Sequence, residues 1–314
     1  MEINPIYMRR ALELARHGQL DASPNPMVGA VIVDNRGQII GEGWHRRCGE
    51  GHAEVNAIAS VKNEELLRDA TMYVTLEPCA HYGKTPPCAR LIVDKRIPRV
   101  VVGCVDPFAK VSGKGIAILR EAGVEVAVGI LEEECRELNE KFMTAHTMRR
   151  PYITLKWAES ADGFIDGHIS TPLTSVAVHR LRALHDAILV GSGTWIADNP
   201  SLTTRCYAGK SPRRMVLDRR GKLSVPDDVI VLRDYPTLTD ACSRLYSEYG
   251  VTSLLVEGGA KVLQAFIDEG LYDVIRVEHS TENIHGKVKS PRLPNGINVE
   301  SVINLGNHKI ITLK

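Results

Sequence analysis

An excess of either charge is missing from this chain: 39 Lys and Arg face 38 Asp and Glu, a formal net charge of +1 over 314 residues. Near-neutrality leaves no bulk field to draw in a polyanion or an acidic membrane surface. Aromatic residues are scarce at 5%, which argues against the stacking platform of a single-strand nucleic-acid binder. No run approaches the roughly 18 consecutive apolar residues that a membrane span needs. The first ten residues carry charge from Glu2 onward and lack the apolar stretch of a secretion signal. The expectation is a cytoplasmic protein with no nucleic-acid or membrane partner. Seven cysteines, an odd number, argue against a disulfide framework. The G-x-G-x-x-G fingerprint of the common dinucleotide fold is also absent.

What is present suits two cores. The chain is 44% apolar and 25% charged, ordinary for globular proteins, and its length suits two domains. Arg149-Arg150-Pro151 closes a helical pattern and precedes a fresh strand, so the expected units are 1–147 and 148–314. In the first, apolar periodicity predicts helices at 6–17, 52–61, 89–96, 115–122 and, as one long element, 131–146. Strands are expected at 29–34, 38–44, 71–76, 99–105 and 124–129. In the second, strands at 152–157, 187–190, 215–217, 229–232, 253–256, 274–278 and 309–313 alternate with helices at 175–185, 239–249 and 260–268. Both halves therefore read as α/β, each around a mostly parallel sheet.

Chemistry concentrates in two places in the first half. His52-Ala53-Glu54 opens a helix, and Pro78-Cys79 and Pro87-Cys88 flank an eight-residue loop after a strand. One imidazole and two thiolates make a three-ligand zinc site with its fourth position open to water. Glu54 lies close enough to act as the proton carrier without binding the metal. Together these form the H-x-E…P-C…C signature of zinc deaminases. A helix starting at Cys88 would favour its thiolate. The bland alternative is a structural zinc site with His81 as fourth ligand.

The stretch Pro24-Asn25-Pro26-Met27-Val28-Gly29-Ala30-Val31, then His52-Ala53-Glu54-Val55, then Thr75 to Cys88 with its Gly83-Lys84-Thr85-Pro86-Pro87 insertion, resembles the bifunctional deaminase/reductase of riboflavin biosynthesis. The resemblance continues through Leu155 to Gly163, His179 to Ala183, Asp186 to Gly191, Gly193-Thr194, Ala197 to Arg205 and Leu255 to Gly259, nearly the whole chain. It implies a cytidine-deaminase-like α/β/α domain followed by a dihydrofolate-reductase-like α/β domain, one Zn2+ per chain, and NADPH. The implied substrates are small phosphorylated pyrimidines, and a homodimer or higher homo-oligomer is expected. By the same resemblance, Asn25, His45, His81, Lys84 and Thr85 contact the deaminase substrate. Arg182, Leu202, Arg205 and Glu257 contact the reductase substrate. Ala158, Thr194, Asp198, Gly258, Gly259 and Ala260 line the cofactor site, with the two glycines admitting pyrophosphate at a helix N-terminus. Arg213, Arg214, Arg219 and Arg220 form a basic cluster suited to a 2′-phosphate or to solvent. Two segments, Gly163 to Ser170 and Leu232–Pro236, are shorter than the family usually has, and its Gly-x-Ser-x-Trp pattern is missing. The alternative reading keeps the deaminase and leaves the reductase half inactive or merely ligand-binding.

Overall fold

A computed structural model describes residues 3–80, 86–107, 112–219, 221 and 223–314. The chain divides into two compact units, Met1–Met148 and Arg149–Lys314.

The first unit runs α1 (Pro5–Arg16), β1 (Gly29–Val33), β2 (Ile39–Trp44), α2 (Ala53–Ala59), β3 (Thr71–Leu76), α3 (Cys88–Asp94), β4 (Arg99–Cys104), α4 (Lys114–Glu121), β5 (Glu125–Val128), α5 (Glu132–Leu138) and α6 (Glu140–Met148). Its sheet order is β2-β1-β3-β4-β5. The β1–β2 and β1–β3 pairs are antiparallel and the rest parallel, so this sheet is mixed rather than mostly parallel. Every residue of β3 is buried, as expected for a strand covered on both faces. Ile32, Met72 and Val100 pack with α2, α3 and α4. Alternate residues Val31, Tyr73 and Val101 pack with α1 and Cys135 of α5. The result is an α/β/α sandwich.

The helix expected at 131–146 is interrupted at Asn139. This residue is buried, and its amide makes two bonds of 2.8 Å, one from the Met27 N–H and one to the Met27 carbonyl. Its side chain thus holds the loop that carries Asn25. Breaking one helix positions another segment.

The second unit comprises β6 (Tyr152–Glu159), α7 (Pro172–Ala183), β7 (Ala187–Gly191), α8 (Ser192–Asp198), β8 (Arg213–Leu217), β9 (Val229–Leu232), α9 (Leu238–Ser247), β10 (Ser253–Val256), α10 (Ala260–Asp268), β11 (Val274–Ser280), β12 (Val299–Leu305) and β13 (His308–Leu313). Its sheet order is β12-β13-β11-β6-β10-β7-β8-β9, parallel from β11 to β9. Leu155, Leu189 and Met215 pack against Leu245 of α9 and Phe266 of α10; Ile188, Val216 and Leu255 pack on the other face with Trp195 and Leu181. α7 begins with a capping box between Thr171 and Thr174 and with Pro172 in its first turn, the two features that best stabilise a helix start. α8 and β12 were not anticipated from the sequence.

The segment after Ser160 is stitched to the chain at 281–290. Asp162 accepts the Ile284 and His285 N–H groups at 3.2 and 2.9 Å. Asp166 accepts those of Lys287 and Val288 at 2.7 and 2.8 Å.

Candidate active sites

His52 caps α2, β3 leads into Pro78-Cys79, and Cys88 is the first residue of α3. The three side chains converge: His52 Nδ1 lies 3.5 Å from Cys79 Sγ and 3.4 Å from Cys88 Sγ, and all three donor atoms fall within 4.8 Å of one another. A tetrahedral zinc with bonds of about 2.3 Å to sulfur and about 2.05 Å to nitrogen sets N···S edges of roughly 3.5 Å. The donor set fits that ion. Among the described residues no fourth His, Cys, Asp or Glu joins the group; His81, Lys84 and Thr85 lie outside the described residues.

The electrostatics match the donor chemistry. A hydrogen bond with the Cys88 thiol, aided by His52, holds Cys79 well below the ordinary thiol range, and that shared proton pushes Cys88 up. The Cys88 N–H also donates to Cys79 Sγ at 3.2 Å, so the α3 N-terminus supports Cys79 rather than its own thiolate. Hydrogen bonding to Cys79 raises His52 to about 8. Metal binding must displace these protons. Glu54, in the first turn of α2, is 3% exposed, and burial pushes its carboxyl up to about 7. A carboxyl so placed readily takes and returns a proton.

His45 is buried, not a surface residue beside Arg46 and Arg47. Its Nδ1 meets the Gly51 carbonyl at 3.2 Å and its Nε2 the Asn25 amide at 3.1 Å. Its ring contacts that of His52 edge-on, with centroids 5.4 Å apart. Burial lowers its pKa, which favours the neutral imidazole. Asn25 and His45 therefore gather at the metal-ligand cluster.

Sequence reading passed over Glu77. Its buried carboxylate accepts N–H bonds from Gly113 and Gly115, both at 2.9 Å, and from Ile116 at 3.3 Å. It binds the base of the Pro78-Cys79 turn to the start of α4. A Cβ on Gly115 would overlap the Pro78 carbonyl oxygen. Gly115→Ala is therefore expected to destabilise the first unit by about 1–3 kcal/mol and to loosen zinc. A fall in melting temperature together with faster metal loss to a chelator checks this.

In the second unit Arg182 and Glu257 form a forked ion pair, with Nε–Oε1 2.9 Å, Nη2–Oε2 2.6 Å and side chains 13% and 10% exposed. Burial works against the Arg182 charge, but the Glu257 carboxylate more than restores it. Arg182 also donates to the Thr203 carbonyl at 3.1 Å, next to buried Leu202. Arg205 bonds Ser201 and Thr203 and is held at its backbone by His179, 2.7 Å away. These four expected substrate residues cluster. Gly258 lies against Val190 and Gly191 so closely that a Cβ would collide with backbone; Gly259 has φ +36, and a Cβ there would meet Thr194 Oγ1 at 2.8 Å. Only glycine fits at these two positions, where the turn into α10 packs directly on the end of β7 and on Thr194. Ala260 begins that helix, while Asp198 ends α8 as an exposed residue and Ala158 sits on β6.

Parallel register separates the basic cluster. Ala187 pairs Arg213 and Gly191 pairs Leu217, so Arg213 lies four residues, about 13 Å, from the end where Gly258 packs. Arg214 is occupied by Asp228 at 2.6 Å. These two cannot serve a cofactor held at that end. Arg219 follows β8 at the correct end and stacks over Tyr235, 4.8 Å to the ring centroid; Arg220 lies outside the described residues.

Lys156 is a further residue that sequence reading left without a role. It lies on β6 with its side chain 12% exposed. Burial lowers its pKa, opposed by Glu257 and Glu278. A lysine in an apolar strand is the signal that could have flagged it.

Comparison with known proteins agrees with this division. Residues 1–104 match the cytidine and deoxycytidylate deaminase zinc-binding region, and residues 151–313 the RibD C-terminal domain. The riboflavin biosynthesis protein RibD of Aquifex aeolicus is 39% identical over 310 aligned positions, covering 88% of this chain and 86% of that protein. The chain belongs to the RibD family of riboflavin biosynthesis proteins. The Bacillus amyloliquefaciens RibD is 40% identical over 338 positions, covering 94% of this chain and 89% of its own length. That alignment exceeds this chain's 314 residues, so the relative carries residues that this RibD-family member lacks. An Acinetobacter baumannii RibD structure superposes with TM-score 0.90 at 34% identity, covering 98% of both chains. A Thermotoga maritima diaminohydroxyphosphoribosylaminopyrimidine deaminase/5-amino-6-(5-phosphoribosylamino)uracil reductase superposes with TM-score 0.88 at 36% identity, covering 99% of this chain and 98% of that one. The two units are accordingly a cytidine-deaminase-like domain and a dihydrofolate-reductase-like RibD C-terminal domain.

Proposed function

We propose that the chain catalyses two successive steps on one pyrimidine nucleotide. The first is hydrolytic deamination of 2,5-diamino-6-ribosylamino-4(3H)-pyrimidinone 5′-phosphate. The second is NADPH-dependent reduction of the ribosyl group of 5-amino-6-(5-phosphoribosylamino)uracil to ribityl. The observation that carries this reading is the convergence of His52, Cys79 and Cys88 beside buried Glu54.

His52, Cys79 and Cys88 would hold zinc, which when bound supplies hydroxide at neutral pH. Glu54 takes one proton from water and gives it to the ring nitrogen as the water oxygen bonds the amino-bearing ring carbon. It then carries the remaining hydroxyl proton to the amine, so that the C–N bond breaks and ammonia leaves. Asn25 and His45 orient the pyrimidine, and the Lys84 and Thr85 region holds the phosphate.

In the second unit a bound nicotinamide supplies the hydride. Gly258, Gly259 and the start of α10 would hold its pyrophosphate, and Ala158, Thr194, Asp198 and Ala260 would line the rest of its site. Arg182, Leu202, Arg205 and Glu257 hold the substrate, and Lys156 delivers the proton to the ribose oxygen as the ring opens. Arg219 meets the 2′-phosphate. Arg219→Ala is expected to raise the KM for NADPH about tenfold, one charge-assisted contact, with little change for NADH; steady-state kinetics with both cofactors check it.

The protein is read as cytoplasmic; no described helix is long and apolar enough to cross a membrane. A homodimer or higher homo-oligomer fits β12, an edge strand exposing Val299, Val302 and Ile303. The deciding experiment supplies the diamino substrate and follows ammonia release and NADPH consumption separately. Ammonia without NADPH consumption would leave a deaminase with a binding domain. Absence of both signals from zinc-loaded protein would overturn the proposal.

A further inference from the structure

We propose that a buried Glu278–His308 pair is a positioning device for the reductase site, holding the Lys156 ammonium beside Glu257. This rests on the reductase reading above. Glu278 is on β11 and His308 opens β13; both side chains are 2% exposed and meet at 2.9 Å, His308 Nδ1 to Glu278 Oε1. The other carboxylate oxygen receives the Ser170 hydroxyl at 2.8 Å and faces Lys156 Nζ at 3.9 Å. One carboxylate therefore joins β13, β6 and the segment entering α7.

The register explains why Glu278 reaches this far. Arg276 pairs Lys156 and Glu278 pairs Ala158, so Glu278 stands one step diagonally from Lys156 on the same sheet face. On the other side of β6, Leu155 pairs Val256, which places Glu257 level with Lys156. Both oxygens of Glu257 are already taken by Arg182. With Arg276 also lining the small cavity between α7 and the sheet, cations predominate here. Glu278 balances the Lys156 charge. At 3.9 Å it attracts the ammonium without accepting a hydrogen bond, and no side-chain hydrogen bond of Lys156 is found among the described residues. The lysine's N–H groups stay available to a ligand.

A buried carboxylate with a histidine is an expensive way to pin two strands, because an apolar pair of similar volume is often neutral or better for stability. That difference supplies the test. A structural staple predicts that the double variant Glu278→Met/His308→Leu keeps both its fold and its reductase rate. Positioning predicts a folded protein whose reductase kcat falls about tenfold or more, while NADPH affinity, read by fluorescence titration, stays within about twofold. Glu278→Gln should show the same split. Reductase kcat within about twofold of wild type in a folded variant overturns the proposal. Should neither variant keep its melting transition, Ser170→Ala removes only one of the three contacts and must lower kcat measurably; an unchanged rate there is equally fatal. Absence of reductase turnover in the wild type would instead sink the underlying reading.

Discussion

Glu54→Gln is expected to reduce ammonia release by about 10²–10⁴-fold, the usual contribution of a positioned acid–base group, while zinc stays bound. The substitution keeps the side chain's size and removes its proton traffic. The three metal-ligand donors do not include Glu54, so the expected zinc content by metal analysis is that of the wild type. Loss of activity with loss of zinc would assign Glu54 to holding the metal. Unchanged activity would mean that the cluster is a scaffold. NADPH oxidation with 5-amino-6-(5-phosphoribosylamino)uracil supplied directly serves as a control for folding of the second unit.

The second large effect is in stability. Arg182→Leu would leave the Glu257 carboxylate, 10% exposed, without its forked partner. Removing one member of such a pair destabilises by about 3–5 kcal/mol, because the remaining charge is stranded out of water. The reductase unit should therefore unfold at markedly lower denaturant concentration. The double variant Arg182→Leu/Glu257→Leu should recover much of that stability but none of the reductase rate. If the single variant is as stable as wild type, the pair is better hydrated than its geometry indicates.

Much of this site was legible in sequence because metal chemistry restricts residue types severely. Few arrangements other than a zinc site put His-x-Glu before two Pro-Cys pairs, and His52, Cys79 and Cys88 do meet. Where sequence fell short, the missing information was three-dimensional. Arg213 and Arg214 look like neighbours of Arg219, yet only strand direction shows that they open β8 at the wrong end. Lys156 and Glu278 stand out only once burial is known. β12 has nearly every residue exposed, so it lacks the alternation that marks a half-buried strand. The periodicity of 131–146 gave no hint that Asn139 would leave the helix to bond Met27.

That asparagine also limits how the deaminase half can be dissected. The family match stops at residue 104, which invites excision of a minimal catalytic fragment there. Yet Asn139 clasps the Met27 backbone, two residues from Asn25, and Cys135 fills the core beneath β1 and β3. A fragment cut at the homology border would keep every metal ligand and still lose the strut behind its substrate pocket. The smallest autonomous deaminase must extend past Asn139.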